Sequence, residues 1–291
     1  RATASDPAIT LNGNALVGAA VVYGSTSATS STQVSSGASI TAGGKLSVTS
    51  HNENELDVSA LTVVANNTTS AVVAVAVGDG TSNSTAKIET GASVTAGSLA
   101  LQADNHNSFY VSSTAYGLTS QSLGAAVALG TFTSNTTADL GASLGTANAK
   151  IGDVSVLALD RTDQQEVHSS ATVGPSIFWR TVGAGALAGL SAAQNAINGL
   201  TSKLLPGSVL SDVAKTAEDT IDFRVGAAFS LAQGTHNTVA HVGNNVAGQS
   251  APTIQSSGNV AIGAVTDVNE RRTSTESAVA ARTSQGSGSS N

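Results

Sequence analysis

Short apolar runs alternate with polar stretches along this chain, and the same alternation returns four times. In the run Val72–Val77, alternate valines share one face and the alanines between them share the other. This period of two predicts a β-strand, and its two apolar faces predict burial on both sides. Equivalent runs begin at Gly18, Ala125 and Val225.

The polar stretches that follow these runs also repeat, with a period of about 53 residues. A glycine and a cluster of Thr, Ser and Asn follow each run, as in Gly78–Asn83 and Gly130–Asn135, and this composition predicts a turn. A short strand, a Gly-Ala-Ser turn, an alternating strand, a polar turn and a last strand complete the unit. About five short strands per repeat indicate about two coils of a parallel β-helix.

The predicted fold class is therefore all-β, a repetitive β-solenoid with about two coils per repeat. A β-sandwich or β-roll built from the same strands is the alternative. The solenoid is favoured because the repeat is about half as long as an immunoglobulin-type domain of roughly 100 residues. Small residues, which dominate the composition, allow strands and sheets to approach closely, and Val and Thr suit pleated strands.

A long interruption separates the third repeat from the fourth. Within residues 175–222, apolar residues recur at steps of three and four, which predicts two helices joined at Leu205–Gly207. We interpret this segment as an inserted αα-hairpin that projects from the solenoid or folds back over it. The predicted organisation is solenoid repeats 1–3 over residues 1–174, the hairpin over 175–222, and repeat 4 with a tail over 223–291.

The start of this insertion carries the only tryptophan of the chain. Phe178, Trp179 and Arg180 stand together there. One interpretation is that the two aromatic residues anchor the hairpin to the solenoid wall. The other is that the three residues form an element that binds a partner or touches a membrane.

Composition excludes several classes of protein. Only 11% of the residues are charged and 3% are aromatic, and there is no cysteine, so stability must come from packing rather than from disulfides. A net charge of −7 argues against binding of nucleic acid. No apolar run is long enough to predict a membrane span.

Charged residues gather in the predicted polar turn of every repeat, and stacking of the repeats would align them along one edge. This edge is a candidate surface for a glycan or a cation, or for paired carboxylates, and otherwise a solvated edge. The histidines lie at no constant offset and no nucleophile or phosphate-binding motif is present, so no catalytic residue, metal ligand or cofactor is assigned. The candidate interaction residues on this edge are Asp160, Asp163, Glu166, Arg271 and Arg272.

The repeat resembles a known pattern. An apolar strand, a Thr-Ser-Asn turn, the Gly-Ala-Ser motifs Gly37–Gly43 and Gly91–Gly97, and an alternating leucine strand are similar to repeats of large bacterial exoproteins, the filamentous-haemagglutinin-like giant adhesins. The likeness covers most of residues 11–173 and 223–282. It implies export, a long β-helical rod, and a role in adhesion, biofilm matrix or display of a distal effector.

The expected function is that of a non-catalytic structural or adhesive segment of an extracellular or cell-surface protein. Its expected partners are further copies of itself, end to end or side by side, or a cell-surface glycan. The alternative is a carbohydrate-active β-helix enzyme, such as a polysaccharide lyase, that uses the polar edge. Such an enzyme needs a groove lined by aromatic and basic residues, and this chain has one Trp, three Tyr and twelve Lys and Arg.

Overall fold

The computed structural model describes residues 2–11, 17–65, 69–117, 121–173, 225–243 and 251–279. Within these ranges the chain is all-β, and no helix there is long and apolar enough to cross a membrane. The strands are β1 (Ala2–Leu11), β2 (Val17–Val34), β3 (Ser39–Ala65), β4 (Thr69–Ile88), β5 (Ser93–Gly117), β6 (Gln121–Leu140), β7 (Val154–Val173), β8 (Val225–Val242), β9 (Val260–Val268) and β10 (Arg271–Val279).

The strands form two stacked sheets, and successive strands from β1 to β9 alternate between them, while β10 follows β9 in the same sheet. Sheet A has the order β1-β3-β5-β7-β10, with β9 also paired to β7, and sheet B has the order β2-β4-β6-β8. Every pairing between these strands is parallel. The prediction of an all-β repetitive fold is confirmed, and the architecture is compatible with a β-solenoid. The antiparallel pairing of a typical sandwich does not occur among these strands.

Each repeat supplies one long strand to each sheet, and the prediction of five short strands in two coils is wrong. Hydrogen-bonded neighbours are separated by one whole repeat, as in Val17 opposite Ala71 and Ser39 opposite Ser93. We call the two strands of one repeat a layer. Layer 1 is β2 and β3, layer 2 is β4 and β5, layer 3 is β6 and β7, and layer 4 is β8 with β9 and β10.

The predicted turns at Gly78–Asn83 and Gly130–Asn135 lie inside strands β4 and β6. Residue types that usually form turns are part of these strands because each side chain faces either the interior or the outer surface of the sheet. The glycines and serines point inward at positions too close for larger side chains, while Thr and Asn point outward. Local propensity is overridden here by the inside-outside alternation of a sheet that pairs on both edges.

The inward side chains of the two sheets form two hydrophobic clusters. One contains residues from the first half of each sheet B strand and the second half of each sheet A strand, including the stacked rings of Phe109 and Phe132. The other lies at the opposite side of the cross-section and includes Ile88, Leu101 and Leu140. Small residues make the close approach possible, since a Cβ on Gly80 would stand 2.6 Å from the Phe109 ring.

The two sheets differ in regularity. The pairings of β2, β4, β6 and β8 run without a register shift over their whole length. Sheet A is interrupted at two levels: between Ala42 and Lys45, where two glycines oppose one, and between Asn107 and Ser108, where β7 has an extra residue. The predicted helical hairpin at 175–222 lies outside the described residues.

Candidate functional site

A band of polar side chains fills the interior between the two hydrophobic clusters. It is continuous from layer 1 to layer 4, and we call it the polar ladder. Burial of so many polar groups is tolerated because they hydrogen-bond to one another from layer to layer. Its principal members are Thr26, Ser30, Ser50, Asn52, Asn54, Ser82, Ser84, Asn105, Asn107, Ser134, Asp160 and His236.

Asparagine amides carry the ladder from one layer to the next. Asn52 Nδ2 donates to Ser82 Oγ at 2.7 Å and to Asn105 Oδ1 at 3.1 Å. Asn105 Nδ2 in turn donates to Ser134 Oγ at 2.7 Å. Asn52 therefore contacts the opposite sheet and the next layer of its own sheet, and Asn105 contacts two successive layers of the opposite sheet. These contacts link the layers by side chains as well as by the backbone.

The ladder changes chemistry between layers 3 and 4. Asn52, Asn105 and Asp160 occupy one column of sheet A, and Ser82, Ser134 and His236 occupy the facing column of sheet B. The Asn105–Ser134 pair that joins layers 2 and 3 thus corresponds to the Asp160–His236 pair that joins layers 3 and 4.

Asp160 is fully buried, and both of its oxygens have partners. Oδ1 accepts from Ser134 Oγ at 2.8 Å and from Asn107 Nδ2 at 3.2 Å, while Oδ2 lies 2.8 Å from His236 Nδ1. The other ring nitrogen of His236 lies 3.4 Å from Gln165 Oε1. The pair resembles an acid–base pair in its contacts, but its carboxylate is enclosed by the core and offers no surface to a substrate.

The outer face of sheet A carries most of the charged residues, and the prediction that they lie in turns is wrong for the first three repeats. They alternate along β3, β5 and β7 with the inward members of the ladder. Histidines pair with aspartates of the next layer: His51 Nδ1 lies 3.3 Å from Asp104 Oδ2, and His106 Nε2 lies 2.7 Å from Asp163 Oδ2.

Of the predicted interaction residues on this edge, Glu166 and Arg272 lie in register on neighbouring strands, whereas Asp160 is separated from the others. Asp160 points into the core, whereas Asp163 and Glu166 lie on the outer face of the same strand. Arg271 and Arg272 are exposed on β10 and pair in register with Gln165 and Glu166, so Arg272 neighbours Glu166. Phe178, Trp179 and Arg180 lie outside the described residues.

The outer face of sheet B has two halves of opposite character. The first half is an apolar patch on β4 and β6, which is defined by Val73, Val75, Val77, Val127 and Leu129. The second half is a threonine–asparagine array, in which neighbouring strands present the same residue types at the same level. Its members are Ser27, Thr29 and Ser31 on β2, Thr81, Asn83 and Thr85 on β4, Thr133, Asn135 and Thr137 on β6, and Thr235 and Asn237 on β8.

The array is ordered by its own hydrogen bonds. Asn135 Nδ2 donates to Asn83 Oδ1 at 2.9 Å, and Asn83 Nδ2 reaches Thr29 Oγ1 at 3.4 Å. Stacked amides of this kind run parallel to the backbone ladder, with the spacing of about 4.8 Å between neighbouring strands. The result is a regular surface of hydroxyl and amide groups.

The turns between the sheets are joined by a carboxylate. The backbone N–H of Ser36 donates to Glu89 Oε2 at 2.9 Å across neighbouring layers. This hydrogen bond, helped by the charge of Lys87, lowers the pKa of Glu89 from its ordinary value. The same turns contain Gly37 and Gly91 with φ of 79° and 85°, which favours glycine there.

Sequence reasoning missed the polar ladder and the array. The signal was present: Asn52 and Asn54 recur as Asn105 and Asn107, always alternating with charged residues. Reading that alternation as a strand would have separated an inner amide column from an outer charged one. His236 is identified only by its register opposite Ser134.

No group of three or more His, Cys, Asp or Glu side chains suited to a metal ion occurs in the described part of the chain. Comparison of the chain with protein-family models, with curated proteins and with solved structures found no match.

Proposed function

We propose that this chain is a non-catalytic segment of an extracellular, repetitive bacterial surface or filament protein, built as a β-solenoid and used for adhesion, biofilm matrix or fibre formation. The observation that carries the proposal is the polar ladder, which repeats the same side-chain contacts from layer to layer. A structure of this kind grows in length by adding layers, because each layer contacts only its neighbours. Its resemblance to filamentous-haemagglutinin-like repeats points the same way.

Self-association through the sheet edges fits this proposal. β1 covers only Leu56–Ala65 of β3, so the first part of β3 and all of β2 have no strand beyond them among the described residues. Open edges of parallel strands are templates for further pairing. We infer that a further layer of the same type, from a second copy or a flanking repeat, extends the ladder there.

The threonine–asparagine array is the surface that we propose for adhesive contact with a glycan. Its hydroxyls and amides are donors and acceptors for sugar hydroxyls, and few charged residues interrupt it. Each contact is weak, but repetition along a rod raises the overall affinity through multivalency. The lyase alternative is less well supported, since Asp160 is enclosed and the remaining charged candidates lie apart from it.

Duplication of one layer tests the solenoid. A second copy of residues 69–120 inserted after residue 120 should fold and lengthen the particle by about 4.8 Å, measured by small-angle X-ray scattering. An insertion that abolishes cooperative unfolding would contradict the layered architecture.

Negative-stain imaging of the native material tests self-association. Compact single particles that never form rods or filaments would contradict it.

Adhesion is tested on a glycan array of bacterial and host polysaccharides. Replacement of Thr81, Thr133 and Asn135 by alanine should weaken binding several-fold. The matched control replaces Ser59 and Ser112, outward serines of sheet A that contact each other at 3.2 Å, and should leave binding unchanged. Equal binding by both variants would exclude the array as the adhesive surface.

A further inference from the structure

The apolar patch on sheet B is buried, although it lies on the outward face of the sheet. Val75 is 0% exposed and Leu129 is 2% exposed, and the hydrophobic residues of the described chain that pack with them belong to sheet B itself. Neighbouring strands cover the flanks of such a side chain but leave its tip open. Thr81, three outward positions farther along β4, keeps part of its surface exposed.

The burial is confined to one part of this face. Val21 and Tyr23 of β2 are outward at the same level, and they are 39% and 50% exposed. Phe229 and Leu231 of β8 are partly buried against the patch. The cover therefore lies over layers 2 to 4 and does not extend to layer 1.

We propose that the patch is the docking site for residues 174–224 of the same chain. Both ends of that segment lie at the end of the cross-section where the patch begins, one on sheet A and one on sheet B. Val173, the last residue of β7, faces Gly124, and Val225, the first residue of β8, pairs with Leu123. The patch begins a few residues farther along β6, at Val127.

The segment has the length and the composition to cover this surface. Its first large apolar residues, Ile177, Phe178 and Trp179, follow Val173 within six residues, which extended chain spans in at most about 21 Å. Val127 lies about 13 Å along β6 from Leu123 and the two sheets are about 10 Å apart, so this stretch is long enough to bring Trp179 to the near end of the patch. The segment also carries apolar residues at helical spacing over 186–204, which a docked face requires.

Trp179 provides a direct probe, because it is the only tryptophan of the full chain. In a dilute solution of the 291-residue chain we expect blue-shifted emission and slow quenching by acrylamide. Val75→Asp and, independently, Val127→Asp should shift the emission to the red and raise the quenching constant several-fold, with the β-sheet circular dichroism retained. Thr133→Asp, on the polar half of the same face, is the matched control and should change neither quantity.

The other possible occupants give different results. Protection of Trp179 that increases with protein concentration would assign the patch to a second copy and overturn the proposal. Quenching that is already fast in the unsubstituted protein, or equal in all variants, would overturn it as well.

A deletion keeps the proposal falsifiable if the aspartate variants do not fold. Replacing residues 175–222 with a Gly-Ser linker should uncover the patch, raise binding of the dye ANS several-fold and promote association. Val75→Thr in that background should lower the dye binding again. A deletion variant that binds no more dye than the full chain would overturn the proposal. The result does not depend on whether the chain is adhesive.

Discussion

Sheets A and B are built from the same repeats, share one interior, and differ in almost everything they show to the outside. Sheet B keeps an unbroken register and presents an apolar patch and an array of Thr and Asn. Sheet A carries the charged residues and takes up irregularities at Gly43–Gly44 and at Asp163. The shared core therefore constrains inward positions in both sheets, while each outer face is free to diverge.

The largest expected effect comes from introducing into sheet B a register shift of the kind that sheet A already contains. Deletion of Asn83 turns Ser84, Ala86 and Ile88 outward and Lys87 inward, because a shift of one residue exchanges the two faces of a strand. We expect a loss of more than about 4 kcal/mol of unfolding free energy, or no folded protein. Urea unfolding followed by circular dichroism measures it.

The matched deletion in sheet A is Gly44. Layer 2 already has a single residue, Gly97, opposite Gly43 and Gly44, so the shortened layer 1 copies a neighbour that exists in the chain. A change below about 1 kcal/mol is expected. Equal losses from the two deletions would show that the two sheets do not differ in their tolerance.

A second pair of substitutions compares the loss of unfolding free energy at an interior position with the loss at a position on the outer face. Phe109 is fully buried and stacks on Phe132 of the opposite sheet, with ring centroids 4.7 Å apart. Phe109→Ala should cost about 3–5 kcal/mol, since it removes a large buried side chain and leaves a cavity. Tyr110→Ala, one residue farther on the outer face, should cost less than about 1 kcal/mol in the same urea titration.

The Asp160–His236 pair tests whether facing side chains of the two sheets contribute to stability as a pair. Asp160→Asn and His236→Ser each disrupt the pair, whereas the double variant recreates the Asn105–Ser134 combination that joins layers 2 and 3. A double-mutant cycle should give a coupling of about 1–3 kcal/mol. The exposed pair His106 and Asp163 is the control, with an expected coupling below about 1 kcal/mol. Additive losses at Asp160 and His236 would contradict the match.

The smallest effect is a pH dependence at the turn between the sheets. Because the pKa of Glu89 is lowered in the folded protein, its contribution is present above the ordinary carboxyl pKa and is lost as the pH falls through the lowered value. The melting temperature of the native chain should exceed that of Glu89→Gln near neutral pH, and the gap should close in acid. A gap that widens in acid would contradict this sign.

Much of the architecture could be predicted from the sequence. The period of the repeat predicted stacked parallel strands, and the apolar runs identified one strand of every layer correctly. The turn and coil counts were wrong because Gly, Ser and Asn were assigned by their local preference for turns. In this fold the same residues are selected by the width of the interior and by hydrogen bonding between layers.

The candidate site was less accessible to prediction. Asp160 and Asp163 are three residues apart and were placed on one edge, yet the sheet separates them into core and surface. A count of charged residues cannot tell which side of a strand a carboxylate occupies. The alternation of Asn with charge around Asn52 and Asn105 carries that information once the segment is read as a strand.

The repeat, the all-β class and the reliance on small residues could all be read from the sequence, because they follow from composition and period alone. Tertiary structure decided which residues face inward, since that depends on pairing register across layers about 53 residues apart. It also decided that Asp160 meets His236 across 76 residues of chain, and that an outward patch of valines is buried. Contacts of this separation have no local signature in the chain.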